Sequence, residues 1–316
     1  LLGHRDDDIR FHAAAHIGDL LAGREDSWRK DLPEGVVLRP ERTVLDELSP
    51  VLALLDRAKP EAEEDMGPTE RVLYAVPIIV RRLLRHAEPE LKRRAWDLIL
   101  ENFSRRLRDR RPLVGLYLCE TLEVSLEWIA PEERPPLLKF ADAWAQHPVS
   151  ATRLMAWRLL LGLARGSRLD PGLLTQVGER VEALAERGGG QYSVAESYLL
   201  QEIAAACDLP KLAEQCGRLR VQGQDPVRDV LLRNLKSRVD WVEKKVNCDY
   251  LSASAHLRHE QGRDPESHFA NEVASHLANL LRVSRVEGTR FHAGRCLLRL
   301  LPLLSVPQRN DLMVEL

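Results

Sequence analysis

At 316 residues, with 44% hydrophobic and 30% charged side chains, the chain is long enough to bury a large core and too apolar to be a disordered polyelectrolyte. A formal net charge of −2 excludes a surface that is basic throughout, so any contact with a polyanion must be local. Aromatics make up only 5%, and the apolar content is mainly Leu, Ala and Val, which favours helix over sheet.

The chain opens at Leu1, without an initiator Met, and soon runs into "DDDIRFHAAAHIGDLL", as a segment of a longer protein would. Residues 23–43 carry little helical periodicity and read as a long loop over one face, with "GVVLRPERTV" (35–44) briefly extended. "LSPVLALLD" follows as a helix. Residues 57–68, acidic and proline-containing, read as an exposed connection. "AVPIIVRRLL" and "ELKRRAWDLIL" form a helix pair, as do "RPPLLKFADAW" and "ATRLMAWRLLLGL". The early proline in the first member of each pair suits a first helical turn.

Beyond these come "PGLLTQVGERVEALAE", a glycine loop at 187–190, "YSVAESYLLQEIAAAC" and "PKLAEQCGRLRV". The last helices in the pattern are "PVRDVLLRNL", "ESHFANEVASHLANLL" and "TRFHAGRCLLRLL". No convincing alternating strand appears.

The tetrapeptide RFHA occurs twice, at 10–13 and 290–293, and it belongs to a wider frame. A base recurs at Arg10, Lys92, Arg153, Arg228 and Arg290, preceded by Ile9, Leu91, Thr152, Val227 and Thr289. Three residues after the base stands Ala13, Ala95, Ala156, Leu231 or Ala293. Four further on stands Ile17, Ile99, Leu160, Leu235 or Leu297. Offsets of four place these positions on one helical face. Polar turns such as "RHAEPE", "QHPVS" and "QGQDP" precede the marked helices, so the unit is helix, short turn, helix. The marker bases lie 82, 61, 75 and 62 residues apart, compatible with units of roughly 30–45 residues.

This arrangement resembles HEAT repeats, with "DDDIRFHAAAHIGDL" similar to that family's second helix and "LSPVLALLD" to its first. The resemblance implies an all-α solenoid (superhelix) of stacked antiparallel helix pairs, roughly seven to eight of them, spanning residues 1–316 as a single array. It also implies that Arg10, Lys92, Arg153, Arg228 and Arg290 stack in a ladder against neighbouring carboxylates or helix-end carbonyls.

Chemistry is sparser. Five cysteines, at 119, 207, 216, 248 and 296, include no CxxC and fall mostly in helical patterns, as reduced, buried thiols of a cytoplasmic protein would. No apolar run is long enough to span a membrane, and no signal peptide is visible. His12 and His16 are four apart on one helix, and His256, His259 and Glu260 cluster in "HLRHEQG". Deoxyhypusine hydroxylases are HEAT-like and hold two irons through repeated His-Glu pairs. His259-Glu260 is the single such dipeptide here, too few for a di-iron site. No metal ligand and no cofactor is expected, and no GxGxxG, GxxxxGK[ST], GxSxG or HExxH signature occurs.

The stretch 81–111 holds eleven bases against five acids. HEAT-like DNA glycosylases cradle DNA with Trp, Asp and Arg, and Trp96-Asp97 invites that comparison. Trp96 nevertheless shares its frame position with Trp157, a core position. Bilin lyases, also HEAT-like, are similar only at "RFHAAAHIG". The expectation is a non-catalytic scaffold or adaptor that binds a protein partner, with Arg93, Arg94, Arg105 and Arg106 as anchors. The alternative is a nucleic-acid-binding solenoid that uses the same patch on phosphates.

Overall fold

The computed structural model describes residues 40–58, 68–166, 170–187, 192–221, 241–284 and 287–315, and singly Asp6, Ile9 and Ala13. Among them are thirteen α-helices, short 3-10 segments and no strand. No described helix is long and apolar enough to cross a membrane. The chain forms two compact units, Leu1–Arg187 and Gly188–Leu316. The marker positions Arg10 and Arg228, the pair His12 and His16, most of 23–43 and 57–68, and the glycines at 188–190 lie outside the described residues.

The first unit contains α1 (Pro40–Leu52), α2 (Pro68–His86), α3 (Pro89–Arg105), α4 (Pro112–Ser125), α5 (Leu138–Trp144), α6 (Ser150–Gly166) and α7 (Pro171–Arg187). Proline opens five of the seven, because its fixed φ suits the first turn and its missing N–H has no helical partner there. For the same reason Pro40 begins a helix where 35–44 was expected to be extended. Pro50 and Pro77 lie inside α1 and α2, so those helices start well before the prolines that the sequence pattern took as openings.

Packing within this unit joins alternate helices: α1 meets α3, α2 meets α4, and α4 meets α6, while α5 and α7 both lie on α6. At its centre α4 is buried from Pro112 through Leu122, as expected for a helix apolar on every side. Inside it the Thr121 hydroxyl donates to the carbonyl of Tyr117 and the Ser125 hydroxyl to that of Thr121, each at 2.6 Å. Trp96, Trp144, Trp157, Tyr117, Phe103 and Phe140 fill the surrounding space, each burying on the order of 150–250 Å².

The second unit contains α8 (Val194–Ala206), α9 (Pro210–Val221), α10 (Trp241–Glu260), α11 (His268–Val283), α12 (Glu287–Leu300) and α13 (Val306–Glu315). Ser193 and Glu196 form a capping box at the start of α8, each side chain accepting from the other's N–H. Buried Asp264 accepts from the N–H groups of Phe269 and Ala270 at 3.1 and 3.0 Å and so seats the first turn of α11. The long helix α10 packs against α8, α11 and α12.

The repeating frame is visible in burial. Ala95 and Ile99 on α3, Ala156 and Leu160 on α6, and Ala293 and Leu297 on α12 are all fully buried. Thr152 and Thr289, one residue before the base, are buried too. Arg153 donates to the carbonyls of His147 and Pro148 at 2.9 and 2.7 Å. Its counterpart Arg290 donates to the carbonyl of Ser284 at 2.8 Å, six residues back. In both cases the marker arginine clasps the turn that leads into its own helix.

Candidate functional site

The basic stretch expected to form a surface comprises the end of α2, all of α3 and the turn into α4. Its arginines have different environments. Arg106 caps α3 and turns inward: its guanidinium pairs with Asp56 at 2.8 Å and also bonds Asn102, leaving the side chain 13% exposed. Arg111 grips Asp109, with Nη2 2.7 Å from Oδ2, and donates to the carbonyls of Asp56 and Ala58 at 3.0 and 2.9 Å. Together the two arginines tie the turn after α1 to the ends of α3 and α4. The Arg111 guanidinium holds the Asp109 carboxyl below its ordinary range.

Arg105 is exposed and paired with Glu101 one turn earlier on α3. Arg85 lies over the Trp128 ring, 5.8 Å from its centre. Arg93 and Arg94 are exposed and make no ion pair among the described residues. Of the four expected anchors, therefore, two are unpaired among the described residues, one is paired at the surface and one is committed to the fold. Trp96 is buried, as is Trp157 at the matching position, so its ring offers no platform to a nucleic-acid base. Asp97 beside it is exposed.

The solvent face of α3 is not uniformly basic. Glu90, Arg93, Arg94, Asp97, Glu101 and Arg105 are its exposed charged residues, equal in number for each sign. Helical spacing interleaves the signs along the face.

A cleft of about 430 Å³ opens between the 3-10 turn at Pro135, α5 and α7. Asp142 and Arg180 face each other in it at 3.3 Å. Burial raises the Asp142 carboxyl, and Arg180 and Arg187 oppose that shift. No histidine or cysteine lines this cleft.

The Cys119 and Cys207 thiols do not read as nucleophiles. Burial pushes Cys119 far up and half-buried Cys207 up to about 11, and all five cysteines are free of disulfides. His259 and Glu260 are exposed at the end of α10.

One grouping was not anticipated. Asp249 on α10 meets His292 and Cys296 on α12, their potential ligand atoms all within 4.8 Å of one another. His292 and Cys296 are four residues apart and share a helical face, a spacing visible in the sequence; Asp249, more than forty residues away on another helix, is not. His292 is the histidine of the second RFHA. No family model, curated protein or solved structure matches the chain.

Proposed function

We propose that the chain is a HEAT-like α-solenoid acting as a non-catalytic scaffold or adaptor, with the exposed face of α3 as part of its binding surface. The alternate-helix packing of α1 through α6 and the buried frame shared by α3, α6 and α12 support the solenoid reading. The observation that carries the binding reading is the mixed-sign face of α3 with the exposed guanidinium groups of Arg93 and Arg94, unpaired among the described residues. A phosphate backbone rewards a surplus of cations. Alternating signs instead complement another protein surface, where charge pattern fixes register and partner choice.

Arg93 and Arg94 are the primary anchors, with Arg105 at the rim and Arg106 structural. The test compares the wild-type chain with an Arg93→Glu/Arg94→Glu variant as bait in nuclease-treated lysate. A protein retained by the wild type and lost by the folded variant supports the reading. Equal capture by both baits removes these residues from the interface. Capture that requires intact nucleic acid, and that falls steeply between low and physiological salt, replaces the protein partner with a phosphate backbone.

A further inference from the structure

We infer that Asp249, His292 and Cys296 form a mononuclear site for a divalent transition metal of the zinc class. Three donor types converge from two packed helices of one unit. His292 Nε2 lies 3.0 Å from Asp249 Oδ1, and Cys296 Sγ lies 3.6 Å from the same oxygen. Around a tetrahedral zinc, with bonds of about 2.0–2.3 Å, neighbouring ligand atoms stand about 3.3–3.7 Å apart. Both separations thus fall near the edges of such a tetrahedron, and the imidazole–thiol gap is no more than 4.8 Å.

The chemistry of the three groups agrees. A thiolate, an imidazole and a carboxylate together suit zinc, whereas magnesium and calcium favour all-oxygen shells. A dication would balance the thiolate and carboxylate charges in a place where Cys296 is buried and Asp249 and His292 are only 19% and 15% exposed. His292 Nε2 is itself buried and, despite its nearness to Asp249, makes no hydrogen bond among the described residues, which leaves its lone pair open to a metal. On binding, the Cys296 thiol would release its proton to solvent.

A Cys-His-Asp nucleophile relay is the competing arrangement, and the geometry does not suit it. In a relay the imidazole stands between thiol and carboxylate. Here imidazole and thiol both converge on one carboxylate oxygen. Three protein groups leave one position of a tetrahedral shell for water or a donor from outside the chain. Three protein ligands with one open position is the pattern of zinc sites that bind an exchangeable group.

The test is a titration of the chelator-stripped, reduced chain with cobalt(II), which occupies zinc sites and reports thiolate ligation by a charge-transfer band. One equivalent should produce that band, and zinc should displace the cobalt. Cys296→Ser should abolish the band. Asp249→Asn and His292→Gln should each weaken cobalt binding by more than the roughly 10–100-fold typical of losing an outer-shell partner. Cobalt-edge X-ray absorption on the wild-type protein needs no variant to fold, and should count one sulfur among nitrogen and oxygen ligands. No charge-transfer band in the wild type, an undiminished band in Cys296→Ser, or a sulfur count other than one overturns the proposal.

Discussion

The indole ring of Trp144 occupies the space in which a side chain on Gly115 would begin. A Cβ built on Gly115 would overlap three atoms of that ring. Gly115 lies near the start of buried α4, and Trp144, fully buried, ends α5. The missing side chain lets the α5 indole approach the α4 backbone closely. Gly115→Ala should therefore destabilise the protein by about 1–3 kcal/mol or more despite its better helix propensity, because neither helix can retreat in a filled core. Urea unfolding would measure the loss. In a Trp144→Leu background the same substitution should cost less, and equal costs in both backgrounds would dissociate the effect from this contact.

Arg111 connects two segments through one guanidinium: Asp109 beside it and the carbonyls of Asp56 and Ala58 after α1. Arg111→Ala should lower stability at neutral pH by about 1–3 kcal/mol, since the carbonyl acceptors and the Asp109 carboxylate lose their donor together. The acid side of the stability profile should change as well. In the folded protein Asp109 titrates below its unfolded value, so its ionised form contributes stability above the unfolded value. That contribution is lost as pH falls through the folded value. Arg111→Ala should flatten the decline, and a variant that parallels the wild type down to acid pH would contradict the role given to the pair.

Much of the helical order is legible in the sequence because most helices have one wet face. The frame of Ala95 and Ile99, Ala156 and Leu160, and Ala293 and Leu297 is readable as a period of four, and all six residues are buried. Two central helices escape the same reading. In α4 the run "PLVGLYLCETLEVS" is apolar on all sides, so there is no contrast for a helical period to reveal. In α10 the buried positions include Lys245, Asn247 and Ser252, which blur the apolar stripe. Asp249 belongs to that helix, and its meeting with His292 and Cys296 is a tertiary fact that no local spacing encodes. The fate of Arg106 is equally unreadable, because its partner Asp56 is fifty residues away.

His276 lies on α11, 7% exposed, with Nε2 lacking a hydrogen-bond partner among the described residues. Burial holds its pKa below the ordinary value, and the nearby Lys244 ammonium adds to the effect. Its neutral form is therefore favoured in the folded state. Stability from this residue should be complete above the unfolded value, about 6.5, and should drop as pH falls from there toward the folded value. The slope from one proton is at most about 1.4 kcal/mol per pH unit. Urea midpoints from pH 8 to pH 5 should fall more steeply for the wild type than for His276→Leu, and coincident slopes would show that the histidine does not titrate this way.

Neighbouring arginines on α3 should separate binding from folding. Arg93 and Arg94 are exposed and unpaired among the described residues, so Arg93→Glu/Arg94→Glu should change stability by no more than about 0.5 kcal/mol per site. Arg106 is 13% exposed and bonded to Asp56 and Asn102 across two segments. Arg106→Ala should cost about 1–3 kcal/mol, because Asp56 and the α3 terminus lose a shared donor. Partner capture should respond in the opposite order, abolished by the charge reversal and retained by Arg106→Ala at a temperature where that variant is still folded. Thermal denaturation and capture measured on the same preparations decide the matter. If both variants lose binding only in proportion to their loss of folded protein, the basic stretch is structural and the interface lies on another face.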